Sequence, residues 1–190
     1  GGLVWLAHPD SALVYRRPHR LHGSAVSGTQ EMIIETALAK GLHIATAESI
    51  TGGAVSARLA QTPGASKVLL GGITAYQDQI KSQLVGASSQ LIAQQSAVDA
   101  EVCAQLAEGV RSRFAGAMGL SESDVIGIST TGVAGPDSVS GKSVGEVFIG
   151  ISSKAGVKVF SENFAGVRLE IIEATIRRCE EILLEEIALC

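Results

Sequence analysis

Residues 42–47, LHIATA, form a short apolar run that stops abruptly at Ala47. Glu48, Ser49 and Thr51 arrive together, then Gly52 and Gly53, then a helical spacing that reaches Gln61 with Val55, Leu59 and small residues on one face. A buried strand that turns at once into an amphipathic helix is half of a sheet covered by helices, which leaves few architectures open. The polar residues fall at the turn, where strand ends meet helix starts and open α/β sheets take their ligands.

The rest of the chain repeats this logic. Residues 29–40 read as a first helix, with Thr29 as its cap, Met32, Ile33, Thr36, Ala37 and Lys40 at three- and four-residue steps, and Gly41 as its stop. Pro63 and Gly64 close the second helix. KVLLGGITAY, residues 67–76, reads as a strand whose central glycines imply a bend or a close neighbouring backbone. Residues 77–95 hold short helical pieces broken at Gly86. Asp99 caps a helix that runs to Phe114 with Val102, Cys103, Leu106, Ala107 and Val110 as its apolar stripe. DVIGIST (124–130) is a third strand, and VGEVFIGIS (144–152) with VKVFSENF (157–164) alternate as a hairpin. The last helix, 168–189, directs Leu169, Ile172, Ile176, Cys179, Leu183 and Ile187 to the core. The expected fold is α/β, a three-layer α/β/α sandwich with a mixed central sheet.

Composition narrows the class. A chain of 190 residues, 46% hydrophobic and 18% charged, suits one globular domain with a real core. Its 15 basic residues are scattered and outnumbered by 19 acidic ones, so no nucleic-acid surface is expected. No uncharged run approaches the ~20 apolar residues of a membrane span. Cys103, Cys179 and Cys190 lack CxxC spacing, which fits a reduced cytoplasmic setting and argues against a zinc site. Residues 1–28 differ, with two of the four prolines, three of the four histidines and no clear period. They read as a poorly structured leader or appended tail. Its histidines His8, His19 and His22 read as solvated rather than metal-binding. The domain proper is 29–190.

Three loops combine glycine with hydroxyls or charge: AESITGG (47–53), STTGVAGPDSVSGKSVG (129–145) and FAGVRLE (164–170). In the first, free N–H groups at a helix start, with Gly52 and Gly53 allowing close approach, suit a phosphate or an oxyanion. The simpler alternative is that Ser49 or Thr51 only caps the helix. In the third, Arg168 opposes the helix dipole in a first turn, which a bound anion would reverse; pairing with Glu170 is the plainer alternative. Tyr76 and Lys81 are a candidate proton-transfer pair, yet five residues of regular helix turn by about 500° and set the two side chains on different faces. They meet only where the chain turns irregularly. No His-centred triad, GxGxxG or Walker ending is present, so no cofactor is indicated.

TAESITGG, PGASKVLLGGITAYQDQIKSQLVG, SAVDAEVCAQLAEGVRSRF, ISTTGVAGPD, KSVGEVFIGIS and FAGVR stand in this order over residues 30–188. Together they resemble the CinA C-terminal domain family, the nicotinamide-mononucleotide deamidases, in its stand-alone form. The resemblance implies a cytoplasmic, oligomeric, metal-free amidohydrolase of pyridine-nucleotide salvage, which turns nicotinamide mononucleotide and water into nicotinate mononucleotide and ammonia. It implies Ser49 as nucleophile with Tyr76 and Lys81. It makes Thr131 a contact to the amide or the intermediate, and Arg168 a phosphate contact. Thr51, Gly52, Gly53, Gly132 and Gly135 complete the expected substrate-binding set. The chain departs from the family pattern at Ile50, where cysteine is common, and in YQDQIK, where YSNEAK is usual. Val167 stands in place of an aspartate and Ile172 in place of an arginine. A non-catalytic nucleotide-binding or competence/damage-associated module, and an amidohydrolase for another small amide, are the competing functions.

Overall fold

The computed structural model describes residues 28–190, so the expected leader and its histidine cluster lie outside the described residues. Five strands form one mixed sheet in the order β2-β1-β3-β4-β5. They are β1 (His43–Glu48), β2 (Leu69–Thr74), β3 (Val125–Gly132), β4 (Glu146–Ser153) and β5 (Gly156–Asn163). β1 runs parallel to both its neighbours, while β3-β4-β5 is antiparallel. Helices α1 (Gly28–Ala39), α2 (Ala54–Ala60) and α6 (Arg168–Leu189) cover one face, and α5 (Ala100–Met118) covers the other. The three-layer α/β/α architecture is thus present.

The two faces are built differently. Toward α1, α2 and α6 the sheet presents Ile44, Ile126, Ile128, Val147, Ile149 and Ile151, all buried in a core with Ile33, Leu59, Ile171 and Leu183. Toward α5 it presents small residues. A Cβ on Gly127 would collide with the carbonyl of Ala107, and one on Gly150 would come within 2.7 Å of the Cys103 carbonyl. Glycine at these two places lets the helix backbone lie almost on the strands. Close approach also explains the glycines of β2, since a Cβ on Gly72 would overlap the Thr46 hydroxyl.

Several helix readings need correction. α1 begins at Gly28, so Thr29 lies inside it, and the buried stripe is Gln30, Ile33, Ile34 and Ala37. Met32 and Lys40 are exposed. Lys40 instead donates to the carbonyls of Ile187 and Ala188, both at 2.9 Å, a cation closing the negative end of α6. In α6 the buried series runs Ile171, Thr175, Ile176, Cys179, Glu180, Ile182, Leu183, Glu186 and Ile187, so the expected Ile176, Cys179, Leu183 and Ile187 do face the core. Leu169 sits two residues, about 200°, from Ile171 and therefore faces outward, 75% exposed. Ile172 is only partly buried.

α1, α2 and α6 are also tied by charge. Arg58 forks onto Glu173 at 3.0 and 2.6 Å, and Gln30 donates to Glu180 at 2.7 Å. Burial pushes the Glu180 carboxyl up, whereas the hydrogen bond from Arg58 holds that of Glu173 down.

Candidate active site

At the end of β1 the chain enters α2 through a left-handed Gly53, φ 99°, with no side-chain cap from a hydroxyl. Glu48 fills that role. Its side chain is buried, and each oxygen takes three contacts. Oε2 accepts from the Thr51 hydroxyl at 2.7 Å, Gly53 N–H at 2.9 Å and Val55 N–H at 3.0 Å. Oε1 accepts from Ser56 N–H at 2.8 Å, the Ser56 hydroxyl at 2.6 Å and the Thr46 hydroxyl at 3.1 Å. The carboxylate thus takes the N–H groups that a ligand at this helix start would need. Gly52 N–H closes the turn onto the Ser49 carbonyl at 3.1 Å. Thr51 is buried against Thr130, hydroxyl to hydroxyl 2.9 Å. Thr51, Gly52 and Gly53 therefore belong to the frame of the turn.

Ser49 is the residue that this frame presents. Its N–H is held by the Thr130 carbonyl at 3.0 Å, on the neighbouring parallel strand β3. Among the described residues nothing hydrogen-bonds its hydroxyl, and it lines a cleft of about 230 Å³ at the C-terminal ends of β1, β2 and β3. Tyr76, Asp78, Lys81, Thr131, Gly132, Gly135, Asp137 and Arg168 line the same cleft.

Tyr76 and Lys81 meet, though not hydroxyl to amine. After β2 the chain runs extended through Gln77, makes the single turn α3 (Asp78–Ile80), and widens into a π-helical turn at Lys81–Val85. That path folds the buried Lys81 back, so that Nζ donates to the Tyr76 carbonyl at 3.0 Å and to Asp78 Oδ1 at 3.1 Å. The Tyr76 ring, half exposed, points elsewhere, and its hydroxyl accepts from Arg168 Nη2 at 2.9 Å. Arg168 Nη1 donates to the Gly135 carbonyl at 2.9 Å. The guanidinium thus bridges three segments of the cleft rim and does not pair with Glu170. Glu170 instead accepts from Val167 N–H at 2.9 Å.

Thr131 donates its hydroxyl proton to the Ala97 carbonyl at 2.7 Å, which leaves its lone pairs as acceptors. Ala97 follows Ser96, whose backbone at φ 91°, ψ 157° is a conformation that residues other than glycine rarely adopt. Cys103 offers no rival nucleophile: burial pushes its thiol up to about 12.

Sequence reasoning missed Asp78, Asp137 and Ala97. Asp78 sits three residues before Lys81, a spacing that favours an ion pair on one helical turn, and this signal was readable. Asp137 and the Ala97 carbonyl come from loops, where spacing predicts nothing. Among the described residues, no group of three or more His, Cys, Asp or Glu is placed to hold a metal, and no helix is long and apolar enough to cross a membrane.

A family model described as the CinA C-terminal domain matches residues 27–187. A putative competence-damage inducible protein of Desulforamulus reducens is 40% identical over 147 residues, 77% of this chain and 34% of that protein. One of Bacillus pumilus is 43% identical over 137 residues, 72% of this chain and 31% of that protein. The chain thus spans about a third of the length of these relatives. The crystal structure of the competence/damage inducible protein CihA from Agrobacterium tumefaciens superposes with a TM-score of 0.73 at 26% identity, covering 86% of this chain and 98% of that one.

Proposed function

The chain belongs to the CinA C-terminal domain family, and on that premise we propose that it hydrolyses the carboxamide of nicotinamide mononucleotide to nicotinate mononucleotide and ammonia. The observation that carries this reading is the convergence of Ser49, Tyr76, Lys81 and Arg168, from three separate segments, on one cleft.

Ser49 Oγ attacks the carboxamide carbon, and its proton goes to Lys81. In the free-amine form the two N–H groups of Lys81 serve the Tyr76 carbonyl and Asp78, and the lone pair occupies the fourth tetrahedral position. Once protonated, the ammonium faces the Asp78 carboxylate, as a catalytic base faces its orienting acid. Thr131, an acceptor toward the cleft, receives a substrate amide N–H. The Gly132–Gly135 backbone, with Val133 N–H already given to the Glu146 carbonyl, is a source of donors for the oxyanion, since Glu48 holds the Gly53, Val55 and Ser56 N–H groups of α2. Collapse of the tetrahedral adduct breaks the C–N bond, and the proton on Lys81 leaves with nitrogen as ammonia. Water then attacks the acyl-serine, gives one proton to Lys81, and that proton returns to Ser49 Oγ. Tyr76, whose hydroxyl accepts from Arg168, keeps its own O–H to donate beside the reacting amide.

Ammonia release from the mononucleotide tests the proposal. Ser49→Ala is expected to lose about 10³-fold or more in kcat. Equal release by the variant sinks the nucleophile assignment. Binding of the mononucleotide by the wild type with no turnover would instead favour a nucleotide-binding module.

A further inference from the structure

The charges in the cleft do not cancel pair by pair. Lys81 and Asp78 engage each other at 3.1 Å. Arg168, by contrast, is held only by neutral acceptors, a carbonyl and a phenol, and among the described residues it joins no ion pair. Asp137, on the exposed loop after Gly135, lines the same cleft and likewise has no ionic partner among the described residues. Arg168 and Asp137 are thus the two charged groups of the cleft that engage no charged partner among the described residues. A carboxylate at the wall of a cleft attracts a ligand of opposite charge and disfavours an anionic one.

A pyridine nitrogen that carries a substituent is permanently cationic, and its counter-charge need not lie nearby. We propose that Asp137 is a specificity-determining residue that selects carboxamides carried on such a positively charged ring over neutral ones. Arg168, the opposite charge of the same cleft, takes an anionic group on the far side of the ligand. The choice of a pyridine carboxamide rests on the deamidase reading. The charge selection itself does not, because it is a property of binding.

Two probes that differ in this charge test it: 1-methylnicotinamide, cationic, and nicotinamide, neutral. Neither has a phosphate, so Arg168 does not separate them. Calorimetry gives a Kd for each with the wild type, Asp137→Asn and Asp137→Glu. The expected result is a cation preference in the wild type that falls about five- to tenfold in Asp137→Asn, the scale of one opposite charge at a solvated site. Nicotinamide affinity should stay unchanged, Asp137→Glu should keep the preference, and added salt should shrink it. An unchanged preference in Asp137→Asn, a parallel loss for both probes, or no cation binding at millimolar concentration overturns the proposal. Ammonia release on the same proteins is scored separately, so a binder without turnover fails as a deamidase while the charge selection stands or falls on the Kd ratio.

Discussion

α2 and α6 both start beside a glycine at one rim of the sheet, and from sequence both look like places for an anion. They are opposite objects. At α2 the anion is internal: Glu48 supplies a carboxylate that satisfies three backbone N–H groups and up to three hydroxyls, and the turn is complete without a ligand. At α6 the first turn carries a cation that leaves its own helix and reaches Gly135 and Tyr76. The first turn is a frame that fixes Ser49, and the second is an arm that crosses the cleft. Glycine next to a helix start thus marks a place where the backbone must bend closely, and neighbouring side chains decide whether the opening is filled.

The comparison breaks most visibly at Glu48. Glu48→Gln turns one oxygen, with its three contacts, into an N–H₂ group that faces donors. We expect a loss of about 3–5 kcal/mol, read by urea unfolding, because buried donors left unsatisfied cost ~1–3 kcal/mol each. A loss below 1 kcal/mol would mean that α2 does not depend on this carboxylate. Arg168→Ala should do the reverse, with stability unchanged within about 0.5 kcal/mol, as expected for an exposed side chain. Its KM for the mononucleotide should rise about tenfold, and more than for the unphosphorylated nucleoside, since a charge-assisted contact to phosphate is lost. An equal rise for both substrates would assign Arg168 to holding Tyr76 rather than phosphate. The smallest effect concerns Ser96. Ser96→Gly relieves its left-handed φ but adds unfolded-chain entropy and removes the hydroxyl that accepts from Val98 N–H, so a gain of about 1 kcal/mol in thermal unfolding is expected. A loss would mean that the hydroxyl matters more than the strain.

The layered fold was legible because it depends on periodicity. The hairpin of β4 and β5, the Asp99 cap and the bounds of α6 follow from alternation and helical spacing that survive folding. Phase within α6 was less legible, since Leu169 and Ile171 are equally apolar and only packing selects Ile171. Ser49, Tyr76, Lys81 and Arg168 could be singled out as residue types in glycine-rich or turning segments. Apart from the Asp78–Lys81 spacing, what they touch was not legible: the Lys81 amine reaches the Tyr76 carbonyl because the chain is extended at Gln77 and turns only at Asp78, not along one regular helix. The role of Glu48 was hidden for a different reason. A lone acid after a strand reads as surface charge until the helix start folds over it.

Ser49 stands at the end of β1, which lies between β2 and β3, and its N–H is secured by Thr130, 81 residues further along the chain. A contact that distant closes a long loop and forms late relative to the local β4–β5 hairpin. During synthesis the serine and its turn can emerge from the ribosome well before β3 exists to hold them. The Ser49 turn is thus among the last parts of the molecule to be assembled, and a chain released before β3 would carry that serine without the neighbouring strand that holds it.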